Sequence, residues 1–190
     1  MRLSADSSLA EPLWLPLREL RRSALPPGLA GWLLDQGSLT RALQRACGAG
    51  FGVCLRGQGR ARPLPSERRL LGAPPRGAAL LREVELRCGE TPVVFARTLI
   101  PARSQRGAAR RLVRLRDRPL GAVLFADPRT RRLAVEGARL EPGQRLYEAA
   151  CAALPESARP AAIWGRRTLF SYAGQPLLVN EIFLPTIAEL

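Results

Sequence analysis

The chain has 190 residues, a hydrophobic content of 46% and a mean hydropathy of -0.07, values typical of a globular domain with a substantial core. Its formal net charge is +14, and all thirty basic residues are arginine. Histidine is absent, which excludes imidazole acid–base chemistry, histidine-bound metals and nucleophiles activated by histidine.

Glycine and proline divide the chain into short predicted elements. Residues 1–12 are expected to form a disordered tail, and Ser38 is placed to N-cap a helix that ends at Gly48. The predicted helices are 29–35, 39–46, 103–116 and 144–153; the predicted strands are 51–55, 80–87, 93–100, 133–138, 163–172 and 177–184; the longest predicted loop is 57–77, and 119–125 is a short apolar segment.

Two of these strand pairs, 80–100 and 163–184, are predicted hairpins, and no β–α–β alternation is visible. This order predicts an α+β fold in which helices flank a single antiparallel sheet. No linker or internal repeat divides the chain, so we expect one domain over residues 1–190.

The surroundings of the chain can also be predicted from composition. No apolar run approaches the ~20 residues that cross a bilayer, and the N-terminus lacks an export signal, so we expect a cytoplasmic protein without membrane insertion. The four cysteines contain no Cys-x-x-Cys spacing. Four reduced thiols are therefore expected, and neither a zinc nor a redox motif is indicated.

The densest basic segment, residues 103–118, contains interleaved aliphatic residues and is predicted to be a helix with one apolar side and one basic side. It contains no aromatic residue, so the stacking platform of single-strand nucleic-acid binders is missing. We therefore expect no nucleic-acid partner and favour a positive field that attracts a small anion.

Glu181 is the first candidate site residue, because it lies between large apolar neighbours on one face of a predicted strand. Side chains alternate along a strand, so Val179, Glu181 and Phe183 share a face. A carboxylate in such a place must be paired, neutralised or used in a site.

Two arginines show the same anomaly. Arg82 shares the apolar side of its predicted strand with Leu80 and Val84, and Arg97 shares a side with Phe95. One interpretation is that Arg82 or Arg97 forms a buried ion pair with Glu181. The other is a site for a small anion, since a planar guanidinium binds a carboxylate through two hydrogen bonds.

Four sequence blocks carry a family resemblance. They are WGRR at 164–167 with GQPLLVNEIFLP at 174–185, LREV at 81–84 with ARTLIP at 96–101, WLL at 32–34 with GSLT at 37–40, and PLG at 119–121 with LF at 124–125. Taken in their order along the chain, from residue 32 to residue 185, these blocks resemble the chorismate–pyruvate lyase family over most of the sequence.

The resemblance implies a lyase that converts chorismate to 4-hydroxybenzoate and pyruvate by eliminating the enolpyruvyl group as the ring becomes aromatic. This reaction is the first committed step of ubiquinone biosynthesis. The resemblance also implies an antiparallel sheet flanked by helices that enclose a buried ligand cavity, with no metal and no organic cofactor. We expect the protein to be a monomer.

Carried over by position, the resemblance implies that Arg82 and Glu181 are the catalytic residues. Arg82 would bind the ring carboxylate, and Glu181 would lie near the 4-hydroxyl group. Leu39 and Leu120 would contact the substrate. A separate hypothesis, which does not come from the resemblance, is that Arg97 binds the enolpyruvyl carboxylate if it reaches the cavity. The chain departs from the family at Leu39, where methionine is common, and in the long segment 127–162.

Two other functions are compatible with this sequence. The sensor domains of some bacterial transcription regulators resemble the same fold and bind a small aromatic acid without catalysis. Residues 1–27 are expected to be too short and too rich in proline for a preceding helix-turn-helix. A nucleic-acid-binding protein would need no Glu181, and its affinity would fall steeply with salt.

Overall fold

The computed structural model describes residues 10–105, 110–115 and 117–190. In these residues, seven antiparallel strands form one sheet with the spatial order β1-β5-β6-β7-β4-β3-β2. The predicted α+β fold is therefore confirmed. The strands are β1 (Leu15–Pro16), β2 (Phe51–Ala61), β3 (Ala79–Cys88), β4 (Thr91–Pro101), β5 (Arg131–Leu140), β6 (Ile163–Tyr172) and β7 (Gln175–Phe183).

Short helices cover both faces of this sheet. Ser38 N-caps the second of them, as predicted, and accepts a hydrogen bond from the amide of Arg41 at 3.4 Å. In the described part of the chain, none of the helices has both the length and the apolar content needed to cross a membrane. The helices are α1 (Ala30–Leu34), α2 (Leu39–Cys47), α3 (Pro65–Leu70), α4 (Arg110–Val113), α5 (Leu120–Leu124) and α6 (Arg145–Cys151).

We call the face of the sheet that carries Arg82 the front face and the opposite face the back face. Front-face residues pack against α1, α2, α4 and α5, and Leu33, Leu43 and Leu112 are fully buried there. The back face packs against α3 and α6, where Leu146 is fully buried. Both faces are covered at the centre of the sheet, so the charged side chains of β4 and β6 enter the protein interior.

The two predicted hairpins are present, but their turns are tighter than predicted. The β6–β7 turn consists of Ala173 and Gly174, with φ angles of 50° and 77°, and the strands pair directly from Tyr172 and Gln175. Positive φ at both positions is the geometry of a two-residue turn that matches strand twist. Strand β7 therefore begins two residues earlier than predicted.

The prediction of a loop over residues 57–77 is wrong for its first part. Strand β2 continues to Ala61, which pairs with Ala79, and α3 occupies part of the rest. Glycines at 57 and 59 weaken a strand, but β2 lies at the sheet edge, where an irregularity between Leu55 and Gly57 is tolerated.

Two predicted segments extend beyond the described residues. Of the tail, residues 1–9 lie outside, whereas Glu11 accepts hydrogen bonds from the Ser66 amide at 3.1 and 3.2 Å and so attaches the chain to the domain. Of the predicted basic helix, 106–109 and 116 lie outside. Its described parts are a 3-10 helix at Ala102–Gln105 and the single turn of α4.

The expectation of four reduced thiols is wrong for one pair. Cys47 and Cys88 form a disulfide with a Cα–Cα distance of 5.4 Å, and Cys54 and Cys151 are free. Cys47 ends α2 and Cys88 ends β3. Their proximity results from the packing of this helix on the sheet, which sequence spacing does not reveal.

Replacing Cys47 by serine should lower the free energy of unfolding by about 4 kcal/mol, because a cross-link between residues 41 positions apart restricts the unfolded chain. Urea denaturation of oxidised protein measures this loss. Cys54→Ser, at a free cysteine, is the matched control and should unfold close to the wild type. Equal midpoints for the two variants would show that the disulfide does not stabilise the fold.

Candidate active site

A pocket lies on the front face, between the central strands and the residues that begin α2 and α5. Four residues identified in the sequence, Leu39, Arg82, Leu120 and Glu181, line it. Leu39 and Leu120 are the first residues of α2 and α5, whereas Arg82 and Glu181 project from the sheet. The fold therefore brings these four residues into one pocket.

The two helices that cover the pocket approach each other at a glycine. A Cβ atom built on Gly121 of α5 would lie 2.7 Å from Oγ1 of Thr40 and 3.3 Å from Oγ of Ser38. The first distance is shorter than real Cβ contacts allow unless Thr40 moves. A side chain at this position would thus push α5 away from α2 and change the roof of the pocket.

Glu181 is held by Arg166 on the neighbouring strand. The two residues lie opposite each other in the β6–β7 register, and Nε and Nη2 of Arg166 both lie 2.8 Å from Oε2 of Glu181. Arg166 is buried, whereas 17% of the surface of the Glu181 side chain is exposed. The carboxylate is therefore fixed by an ion pair while the residue still lines the pocket.

Arg166 also ties this ion pair to the helical layer. Its Nη1 donates to the carbonyl of Asp35 and, at 3.4 Å, to those of Trp32 and Leu33. These carbonyls lie at the C-terminal end of α1, where backbone acceptors lack partners inside the helix. One guanidinium therefore connects α1, β6 and β7.

The sequence interpretation that Glu181 pairs with Arg82 or Arg97 is wrong. Its salt-bridge partner is Arg166, which the sequence analysis did not identify. The cause is the turn of the last hairpin: with the turn at 173–176 the residue opposite Glu181 would be Thr168, and with the observed two-residue turn it is Arg166. Correct placement of the turn would have identified this partner.

Arg82 lies in the wall of the same pocket, on β3. It pairs with Thr98 of β4, the strand that separates β3 from β7, so two strand spacings, roughly 10 Å, separate its strand from that of Glu181. Its Nη2 donates to the carbonyl of Arg118 at 3.0 Å. Arg82 is only 2% exposed. Burial lowers the pKa of its guanidinium, and nearby Asp117 opposes this shift.

Arg97 does not reach the pocket, contrary to the possibility that it contacts the substrate. It lies one residue from Thr98, the partner of Arg82, and so points to the back face. Its Nε donates to Oε1 of Glu67 at 3.0 Å, and its Nη1 donates to Oε1 of Glu83 at 2.8 Å. Burial lowers the pKa of Arg97, but both ion pairs raise it and leave it above the usual value.

The back-face ion network extends across several strands. Asn180, beside Glu181 in the sequence, donates to Oε1 of Glu67 at 3.0 Å. Arg167, beside Arg166, donates to Oε2 of Glu136 at 2.5 Å. Adjacent residues of β6 and β7 therefore point to opposite faces of the sheet. Arg166 and Glu181 line the pocket, whereas Arg167 and Asn180 belong to the back-face network.

Arg132 is a second pocket residue that the sequence analysis missed, because the predicted strand began one residue later. Its guanidinium carbon lies 4.9 Å from the ring centre of Phe125 and 5.5 Å from that of Phe170. Its Nη2 donates to the carbonyl of Gly37 at 2.8 Å. The pocket wall in the described part of the chain thus contains three arginines and one glutamate.

This arrangement suits an anionic ligand that also has a polar group able to contact the carboxylate of Glu181. Three guanidinium groups and one carboxylate leave an excess of two positive charges in a largely apolar wall. Over the described ranges, no cluster of three histidine, cysteine or acidic side chains is arranged to hold a metal ion. The chemical groups that the pocket offers are therefore guanidinium donors, hydroxyl groups and a carboxylate.

Comparison with known proteins gives a family match over most of the chain. The model of the family described as chorismate lyase matches residues 8–189. A relative named "Probable chorismate pyruvate-lyase" from Methylococcus capsulatus is 48% identical over 162 residues, which cover 85% of this chain and 98% of the relative. Another of the same name, from Nitrosospira multiformis, is 40% identical over 168 residues, 88% of this chain and 92% of the relative.

Among solved structures, the effector domain of PhnF from Mycobacterium smegmatis is similar to this chain with a TM-score of 0.51. The match has 17% sequence identity and covers 80% of this chain and 90% of that domain. Identity at this level shows a shared fold and carries no inference about ligand or activity.

Replacing Arg97 by methionine should lower the free energy of unfolding by about 3–5 kcal/mol, because Glu67, which is 0% exposed, would lose its buried counter-ion. Chemical denaturation measures the change. Arg139→Met, at an exposed arginine of β5, removes the same charge and should have little effect. Equal stability of the two variants would contradict the structural role of Arg97.

Proposed function

The chain belongs to the chorismate lyase family, and we propose that its front-face pocket converts chorismate to 4-hydroxybenzoate and pyruvate. The proposal includes the place of this reaction as the first committed step of ubiquinone biosynthesis, which the family resemblance implies. The cytoplasmic location, the monomeric state and the absence of a nucleic-acid partner stay predictions.

The charge of the pocket is the observation that carries the proposal. Chorismate has two carboxylates and a largely apolar ring. The pocket wall has two more positive than negative charges in an apolar lining, so it complements a dianion of this kind. A guanidinium also matches a carboxylate through paired hydrogen bonds, which orients a planar ligand.

The positions of Arg82 and Glu181 support one orientation of the substrate. Arg82 binds the ring carboxylate, and Glu181, two strands away, contacts the 4-hydroxyl group at the opposite end of the ring. Leu39 and Leu120 contact the ring from the roof of the pocket. The ring carbon that carries the carboxylate is para to the one that carries the hydroxyl, which agrees with charged groups at two ends of an apolar pocket.

The reaction needs little covalent help from the protein. The C3–O bond breaks, its electron pair leaves with the enolpyruvyl oxygen, and C4 loses its hydrogen, so the ring becomes aromatic. The hydrogen lost from C4 balances the one that enolpyruvate gains at its methylene carbon to become pyruvate. The protein contributes by holding one conformer of the substrate and by stabilising the departing negative charge.

Glu181 has one of two roles in this scheme. As a general base, it accepts the C4 proton. As an orienting group, it holds the 4-hydroxyl while the hydrogen moves within the substrate. The ion pair with Arg166 suits both roles, because it fixes the carboxylate without removing Glu181 from the pocket wall.

A non-catalytic sensor is the second candidate, because the fold of this chain is similar to that of the effector domain of PhnF. The 40–48% identity to relatives named as lyases favours the enzyme. Mixing the protein with chorismate and following the ultraviolet absorbance of 4-hydroxybenzoate separates the two: a lyase produces the aromatic acid, whereas a sensor leaves chorismate unchanged.

Replacing Glu181 by alanine should nearly abolish this turnover while the protein still folds. Glu181→Gln distinguishes the two roles, because glutamine keeps hydrogen-bonding capacity but cannot accept the proton. An inactive glutamine variant indicates a base, and substantial activity indicates orientation. Glu90→Ala, at an exposed turn residue, is the control for loss of a carboxylate. Full activity of Glu181→Ala would refute the assignment.

Replacing Arg82 by alanine should weaken 4-hydroxybenzoate binding by about 2–4 kcal/mol, the range for breaking a buried charge pair. Isothermal titration calorimetry measures the dissociation constant. Arg60→Ala, at an exposed arginine of the neighbouring strand β2, should bind like the wild type. Unchanged affinity in Arg82→Ala would show that Arg82 does not contact the ring carboxylate.

A further inference from the structure

We propose that Arg132 binds the enolpyruvyl carboxylate of chorismate and so makes the pocket distinguish the substrate from its aromatic product. The inference rests on the proposed function and adds a specificity-determining residue to it. It replaces the sequence expectation for Arg97, which lies in the back-face network.

Arg132 is held in a defined orientation in the pocket wall. Its guanidinium lies within cation–π distance of Phe125 and Phe170, and the ring of Phe125 meets that of Phe170 edge-on, with centres 6.3 Å apart. The hydrogen bond from Nη2 to the carbonyl of Gly37 fixes one edge of the guanidinium group. Such fixation reduces the entropy lost when the guanidinium binds a carboxylate.

Arg132 also has the capacity to bind another group. Within the described residues, its only hydrogen bond is the one to Gly37, and it takes part in no salt bridge. Arg166 differs, because Nε and Nη2 bind Glu181 and Nη1 binds the carbonyls at the end of α1. Of Arg132 and Arg166, Arg132 is therefore better able to bind a further carboxylate.

The location of Arg132 matches the chemistry of the substrate. Chorismate carries its enolpyruvyl group on C3, next to the carbon with the hydroxyl, so the second carboxylate lies at the Glu181 end. Arg132 and Arg166 donate to the carbonyls of Gly37 and Asp35, which are two residues and so no more than about 8 Å apart along the chain. Both guanidinium groups are thus at the same end of the pocket.

The electrostatic environment agrees with this position. The pKa of the Arg132 guanidinium is lowered, first by its partial burial and then by the positive charge of Arg166, while Glu181 and Asp35 oppose the shift. A bound carboxylate would relieve the repulsion between the two arginines. The product lacks this carboxylate, so the contact is available to chorismate and is lost when the ring becomes aromatic.

The test compares Arg132→Gln with Arg131→Gln, which removes the same charge from an exposed neighbour on β5 that pairs with Ser171 on the back face. Arg132→Gln should raise KM for chorismate and lower kcat/KM by about 10- to 100-fold, the range for losing a charge-assisted hydrogen bond. Its dissociation constant for 4-hydroxybenzoate should change by no more than about threefold. Arg132→Lys should recover part of the loss.

Three results would overturn the inference. Equal kcat/KM in Arg132→Gln and Arg131→Gln would show that Arg132 makes no specific contact. An equal loss of 4-hydroxybenzoate affinity would show that Arg132 contacts a part common to substrate and product. Absence of chorismate turnover in the wild type would refute the proposed function itself, and the inference with it. Retained 4-hydroxybenzoate binding in Arg132→Gln also shows that the pocket is folded.

Discussion

The ion pair between Arg166 and Glu181 is the interaction on which the candidate site depends. It joins two central strands, and through the carbonyls of Asp35 and its neighbours it attaches α1 to the sheet. Without Arg166, Glu181 would lose its salt-bridge partner in a mostly apolar wall, and the carbonyls at the end of α1 would lose the hydrogen bonds that Arg166 donates. The same guanidinium therefore fixes Glu181 in the pocket wall and attaches to the sheet the helix that precedes the lining residues 37–40.

Alternation along the strands separates two kinds of charge. On the back face, Arg97 and Arg167 are paired with Glu67, Glu83 and Glu136, so positive groups there have acidic partners. On the front face, three arginines accompany one glutamate in the pocket wall. The back-face charges hold the sheet and its helices together, whereas the excess on the front face is suited to bind an anion. A shift of one residue in any register would exchange these roles.

Much of this arrangement could be predicted from the sequence where a single strand determines it. Arg82 was identified because the alternation of apolar residues in β3 defines its face without knowledge of any neighbouring strand. Glu181 was identified in the same way. The family resemblance added Leu39 and Leu120, which no local pattern distinguishes from ordinary core leucines.

The features that depend on pairing between segments could not be predicted. The partner of Glu181 requires the hairpin register, and a two-residue error in the turn hid Arg166. The face of Arg97 requires the register between β3 and β4, because Phe95 and Leu99 are as apolar on the back face as residues on the front. The Cys47–Cys88 disulfide and the length of β2 likewise depend on tertiary packing, which overrides the local signal of glycines and cysteine spacing.

The most direct measurement of the central claim is a crystal structure of the protein with 4-hydroxybenzoate bound. The account predicts the ring in the front-face pocket, with its carboxylate within hydrogen-bonding distance of the Arg82 guanidinium and its hydroxyl beside Glu181. A ligand bound elsewhere, or with its carboxylate toward Glu181 and Arg166, would contradict the account.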